Sequence, residues 1–326
     1  MFLDEIQNLP NWELWVNKLY RRGLNLVVTG SNAKLLSREM GTSLTGRFIQ
    51  IAPFSFAEIL NFHQLPLSQI QELSPQKTGV ILNLLNSYLV QGGFPEIVIN
   101  PAIQKNYLSS LFDSVLLKDI MKRFQIRQSQ QLYDLSNYLL TNYTNTYTYN
   151  QLKTDLNFNS VLTVQKFVGY LSEPYLFLNL TRYSTKIKLQ QKAPKKNFII
   201  DNGFIHSRSF ELSPNYGRLL ENLVFVELIR RNFRPELELF YYRTRNDKEI
   251  DFLCRKGHII FQLIQVCYDI SNSKTLKREL DALIEASQEL ACSDLLLITW
   301  DKEDVIQKNE TKIQLIPAWK WLLKSD

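Results

Sequence analysis

Hydrophobic and polar positions change their period three times along the chain. Up to about residue 62 the pattern alternates between strand and helix. FLDEIQ at residues 2–7 and LNLVVTGS at residues 24–31 are short apolar runs, as in strands covered on both faces of a parallel sheet. Between them, NWELWVNKLYRRG sets Trp12, Trp15, Val16 and Leu19 at helical spacing, with Gly23 where a C-cap belongs. Strand, helix and strand within about thirty residues make a βαβ unit. NAKLLSREM predicts a second helix, and RFIQIAPFSFAEIL a third strand running into a helix.

From residue 65 to about residue 142 the period is helical throughout, through VILNLLNSYLVQGGF, NYLSSLFDSVLLKDIMKRF and QQLYDLSNYLLTNY. The glycine pair of QGGFPE breaks the first helix from the second. A short helix, a longer helix at residues 161–173 and a β-hairpin follow, which is a winged-helix order. The hairpin carries the run RYSTKIKLQQKAPKK at residues 182–196, read as a solvated basic face. The longer helix has few basic residues, so packing explains it better than DNA recognition. Beyond residue 197 the order is a helix (GRLLENLVFVELIRRN), three close strands (ELFYYRT, EIDFLCRK, HIIFQLIQVC), a helix and a buried strand (DLLLITW). That α-β-β-β-α-β order names a nuclease-like core. NFIIDNGF ahead of it reads as a strand entering a turn, and KIQLIPAWKWLL after it as a strand entering a helix.

Composition narrows the picture modestly. The chain has 326 residues, 45% hydrophobic, with 38 Lys+Arg against 32 Asp+Glu for a net charge of +6. The excess permits nucleic-acid contact without demanding it. No apolar run approaches the roughly 18 residues of a membrane span. With no basic-then-apolar leader pattern, the expected location is cytoplasmic, with no membrane partner. Cys254, Cys267 and Cys292 have no CxxC spacing and read as reduced thiols; three scattered histidines make no metal site.

The chemistry sits in short motifs. FLDEIQ has the form of a Walker B strand, whose aspartate holds Mg²⁺ while its acidic neighbour orients the attacking water. Taken alone, it fits equally an ordinary buried strand ending in two solvated acids. No G-x-x-x-x-G-K-[ST] phosphate loop stands in the sequence; Gly41 and Gly46 have its glycine spacing, but Arg47 follows.

In series, FLDEIQ, LVVTGSNAKLLS and LTGRFIQIAPFSFAEIL resemble the rear half of a prokaryotic AAA+-type ATPase core. QGGFPE, FIIDNGF, GRLLENLVFVELIRR, YYRTRNDKEIDFLCRKG and LIQVCYDI resemble that family's C-terminal domain of unknown function, a winged helix plus a PD-(D/E)xK nuclease-like fold. The implied fold class is α/β: a partial P-loop parallel sheet at 1–62, a helical and winged-helix middle at 63–196, and a restriction-endonuclease-like domain at 197–326. The resemblance implies Asp4 as the magnesium-side acid, Glu5 as the water-orienting acid, Thr29 and Ser31 as sensor polar groups, and Arg47 as the arginine facing phosphate. Strand-end capping fits Thr29 and Ser31 as well; for Arg47 the alternative is a surface turn, the weaker account given its glycine-arginine context.

Two departures from the family pattern shape the expectations. The resemblance places a phosphate-loop strand ahead of FLDEIQ, absent from this sequence. ATP and Mg²⁺ are therefore expected to bind only when that segment is supplied, as by a separate polypeptide where the reading frame is truncated or split. In the nuclease-like fold, EIDF keeps Glu249 and Asp251. LIQVC, however, puts Gln265 where the second acid belongs and Cys267 where the lysine belongs, so nuclease activity is not expected. The two acids would instead pair with Arg243, Arg245 or Lys248 at a strand edge. The other role weighed is a DNA-binding or protein-interaction scaffold.

Overall fold

The computed structural model describes residues 1–6, 9–30, 51–65, 74–208, 213–308 and 311–324. At the N-terminus, strand β1 (Phe2–Leu3) pairs in parallel with β2 (Val27–Val28) across helix α1 (Trp12–Arg21), giving the expected βαβ unit. Ile6, Trp12 and Val16 are its buried residues, a small cluster separate from the main core. The helix expected at NAKLLSREM and most of the RFIQ strand lie outside the described residues. Where that strand would continue, Ile51 and Ala52 are not in a strand, and Ile51 is 93% exposed.

The next helix, α2 (Phe56–Phe62), is fixed by a capping box. Ser55 Oγ accepts from the Glu58 N–H, and the Glu58 carboxylate accepts from the Ser55 N–H at 2.7 Å. Its Phe56, Ile59 and Leu60 are buried in the main core, so this helix packs with the helices downstream and not with the βαβ unit. A helical layer comes next: α3 (Pro75–Gln91), α4 (Pro95–Ile99) and α5 (Gln104–Ser114), the last passing into a π-helical stretch (Val115–Lys122).

The middle unit runs α6 (Ser129–Thr141), β3 (Thr146–Tyr147), α7 (Tyr149–Asp155), α8 (Val161–Ser172), β4 (Phe177–Thr181), α9 (Ile187–Lys192) and β5 (Lys195–Ile199). Its antiparallel sheet has the order β3-β5-β4. The hairpin of β4 and β5 is present, but the boundary expected between 196 and 197 falls inside β5. The expected turn at DNGF is a helix, α10 (Asn202–Arg208).

After α11 (Tyr216–Arg230) come β6 (Leu239–Arg243), β7 (Glu249–Lys256), β8 (Ile259–Cys267), α12 (Ser273–Leu290), β9 (Leu295–Thr299), β10 (Asp304–Lys308), β11 (Thr311–Pro317) and α13 (Ala318–Leu323). They build a mixed sheet of order β10-β11-β9-β8-β7-β6. The β6–β7–β8 meander is antiparallel, and α12 carries the chain over to β9, parallel to β8. Alternation along the strands feeds two cores. Leu253, Leu263, Leu295 and Leu297 pack with Leu283 of α12, whereas Phe252, Ile264, Leu296 and Ile298 join Phe225 of α11. A sheet covered by helices on both faces explains why these strands read as continuous apolar runs.

Candidate functional site

The register of β1 and β2 sets the first candidate site. Phe2 opposes Val27 and Leu3 opposes Val28, so the next residues, Asp4 and Thr29, leave neighbouring strand ends together. The Thr29 N–H donates to Leu3 O at 2.8 Å, and the Thr29 hydroxyl donates to Asp4 Oδ1. Asp4 and Glu5 are exposed, and Glu5 has a left-handed backbone (φ 48°). In α/β folds ligands bind beyond the carboxyl ends of parallel strands, and this acid and hydroxyl stand at two such ends. Their donor set fits a hydrated Mg²⁺. Ser31 and Arg47 lie outside the described residues.

The second site is built by a bulge. Phe240 of β6 opposes Leu253, and Tyr242 opposes Ile250, so β7 sets two residues, Asp251 and Phe252, against Tyr241 alone. Such a bulge re-aims a side chain. Asp251 here turns with Phe252 to the side of the sheet facing α11. On β5, Lys196 shares a face with Phe198, whose ring stacks on Phe225 of α11 at 3.9 Å, so Lys196 also points there. Its ammonium lies 2.6 Å from Glu221 Oε1 on α11, 2.7 Å from Glu249 Oε1 and 3.1 Å from Asp251 Oδ1.

The surrounding bonds hold the acids in place. Asp251 Oδ2 accepts from the Val266 N–H at 2.9 Å, and Arg243 donates to Glu249 Oε2 at 3.0 Å. Burial draws the Lys196 ammonium down, but Glu221, Asp251 and Glu249 hold it well above the ordinary lysine value. Burial pushes Glu221 up to about 8 and raises Asp251, in both cases against the pull of Lys196. Glu249, although burial opposes ionisation, is held below the usual range by Lys196 and Arg243.

The sequence-predicted residues therefore divide. Glu249 and Asp251 meet at the cluster, while Gln265 stands beside it, accepting from the Asp251 N–H at 3.2 Å and donating to Glu279 at 2.7 Å. Cys267 lies off the cluster, its thiol donating to Asp269 O at 3.4 Å, with its pKa pushed by burial to about 11. The expected pairing is half right. Glu249 meets Arg243, but β7 is an interior strand, and Lys248 pairs with Glu285. Sequence reasoning missed Glu221 and Lys196. The hairpin face read as solvated holds Lys196 at 2% exposure. Alternation would have divided the Lys195-Lys196 pair between two faces: Lys195 meets Glu236 at 3.5 Å on the other side. Among the described residues, no group of three or more His, Cys, Asp or Glu side chains stands arranged to hold a metal ion, and all three cysteines are buried and unpaired as disulfides. No helix among them is long and apolar enough to cross a membrane.

Comparison with known proteins finds three family matches along the chain. A family described as an AAA domain matches residues 1–60, a domain of unknown function (DUF8612) matches residues 82–213, and another (DUF4143) matches residues 216–321. An uncharacterized protein of Methanocaldococcus jannaschii is 34% identical, over 99% of this chain and 74% of its own length. An uncharacterized protein of Haemophilus influenzae is 31% identical, over 82% of this chain and 65% of its own length. No solved structure gives a significant match. The chain belongs to the family of the Methanocaldococcus jannaschii protein, here an AAA-type ATPase-like N-terminus joined to a DUF4143 domain.

Proposed function

We propose that this chain carries the Walker B half of an AAA-type ATPase site, and that it handles ATP only together with a phosphate-loop segment supplied beyond these residues. The Thr29–Asp4 hydrogen bond at the paired ends of β1 and β2 carries the reading. In this site Asp4 serves the magnesium side, Glu5 orients water, and Thr29 with Ser31 senses the nucleotide; Arg47 faces phosphate. A bound nucleotide supplies the phosphoanhydride that water attacks. The backbone cradle and lysine that provide most phosphate contacts have no counterpart in this sequence. Calorimetry tests the reading. The chain alone is expected to show no tight ATP binding, and micromolar affinity that disappears in Asp4→Ala protein would overturn it.

A second reading treats the C-terminal two thirds as a scaffold for DNA or a protein partner. The α6-β3-α7-α8-β4-α9-β5 order with sheet order β3-β5-β4 supports a winged helix, α9 lying in the connection between the wing strands. The α11-β6-β7-β8-α12-β9 order supports a nuclease-like core. Gln265 and Cys267 favour a core that does not cut: Mg²⁺-dependent plasmid nicking lost in Asp251→Ala protein would count against this. Duplex DNA affinity falling steeply with salt would favour DNA over a protein partner.

A further inference from the structure

In the β3-β5-β4 sheet, β4 pairs with β5 on one side, and on the other β6 meets it only at the Arg182–Tyr241 bridge beyond its end. The direction of its main-chain groups follows from β5. Asn197 donates its N–H to Asn145 O at 3.1 Å, and its C=O accepts from the Thr144 N–H at 2.6 Å, so both groups face the β3 side. Asn179, opposite it, therefore forms a non-hydrogen-bonded pair, and its N–H and C=O point away from β5. Among the described residues none bonds either group. An unpaired strand edge is a template for another strand.

That edge opens on a cleft of about 660 Å³ between β4 and the turn from α11 into β6, within the roughly 300–1,000 Å³ usual for binding sites. Ile229 and Phe233 give it an apolar wall. Tyr175, Asn232 and Glu236, which also line it, have left-handed backbones (φ 59°, 65° and 67°), a strain that collects at ligand clamps. Its charges are unequally met. Glu238 takes two bonds from the Arg234 guanidinium, at 2.8 and 2.9 Å, whereas the Lys195 ammonium, over the Tyr149 ring, has its carboxylate partner Glu236 at 3.5 Å.

We propose that β4 is a peptide-docking edge. An extended segment of a partner protein adds as a strand beside Asn179, with an acidic side chain on Lys195 and an apolar one against Ile229 and Phe233. In strand addition, main-chain bonds give affinity and side-chain pockets give selectivity. Two cations and two acids leave the cleft without the positive surplus of a phosphate track, which favours a peptide over nucleic acid. The site rests on the protein-partner side of the second reading.

The probe is a library of random heptapeptides displayed on phage and selected on the full chain, followed by one enriched peptide carrying a fluorescent label. Enriched sequences are expected to combine acidic and apolar residues. Lys195→Glu protein should bind the labelled peptide at least about tenfold more weakly. Asn179→Ala should bind it within about threefold of the unmodified chain, whereas Asn179→Pro, which also removes the outward N–H, should lose at least about tenfold. Proline is tolerated at such an edge position. If circular dichroism shows Asn179→Pro unfolded, a peptide N-methylated at alternate residues takes its place, with the same loss expected. Failure of any peptide to enrich overturns the inference. An enriched peptide whose affinity survives both Lys195→Glu and the main-chain block also overturns it, while leaving the protein-partner reading standing with its surface elsewhere. Duplex DNA that displaces the labelled peptide assigns the cleft to nucleic acid and overturns it too.

Discussion

Gly93 lies 108 positions before Asp201, yet its N–H donates to Asp201 Oδ2 at 2.7 Å, while the Gly203 N–H donates to Oδ1 at 2.8 Å. A Cβ on Gly92 would stand 1.7 Å from Asp201 Oδ1, and Gly92 has φ +80°. The glycines of QGGFPE and DNGF thus make one cage, which reads in sequence as a helix break and a turn because neither motif names its distant partner. Gly92→Ala is expected to destabilise the chain by on the order of 2–4 kcal/mol in urea unfolding, since the clash is with a buried carboxylate and the backbone is left-handed. Burial pushes Asp201 up to about 6, against the two glycine N–H groups and Arg230. The folded value is raised above the unfolded one, so Asp201 adds stability below about pH 4 that is lost as pH rises through about 6. Asp201→Asn puts an NH₂ against a backbone donor and lowers stability at every pH. Its deficit should shrink by on the order of 2–3 kcal/mol between pH 4 and 7; a constant deficit would refute the assignment. Site residues show the same limit. The EIDF spacing exposes Glu249 and Asp251, but Lys196, 53 and 55 positions upstream, comes from another sheet.

Between elements, legibility depends on periodicity. α1, α3, α6, α8, α12 and the β6–β7–β8 strands are readable because each has a continuous pattern. β10 is not, because both faces of DVIQK are largely exposed and carry no apolar stripe. α10 is missed because Asn202, Gly203 and Ser207 are buried polar or small residues, held by long-range bonds such as Asn202 Nδ2 to Leu89 O at 2.8 Å. The junction before α2 is likewise invisible in sequence. Phe54 N donates to Gly93 O at 2.7 Å, Tyr88 donates to Phe54 O at 3.0 Å, and Arg230 of α11 donates to Pro53 O at 2.9 Å. These bonds tie the start of α2 to α3 and α11. Arg230→Ala removes a charged donor from a carbonyl and from Glu227, costing about 1–3 kcal/mol. In hydrogen exchange, the Phe54 amide should then exchange faster while the buried Leu85 turn of α3 keeps its rate. Equal acceleration at both sites would mean that the loss is global and that the junction is not a separate unit.

Across the whole molecule, protection should divide ahead of α2 rather than at residue 62. Phe56, Ile59 and Leu60 belong to the main core, whereas β1 and β2 are two residues long, pair only with each other among the described residues, and rest on three buried side chains. Phe2 is 81% exposed and Val27 49%, apolar surface that further sheet strands would cover. A two-stranded sheet is marginal in water, and open edges leave backbone groups to the solvent. The sequence hints at this imbalance, since FLDEIQ and LNLVVTGS have the apolar continuity of interior strands. Hydrogen exchange is therefore expected to be fastest across residues 1–28 and slowest across β7, residues 263–267 of β8, and β9, which are largely buried on both faces. Adding a phosphate-loop segment from a longer family member should slow exchange at Leu3 and Val28 without altering β8. Slow exchange across residues 2–5 matching that of residues 252–266, with no segment added, would show that β1 and β2 close their sheet unaided, and the need for a supplied strand would fall with it.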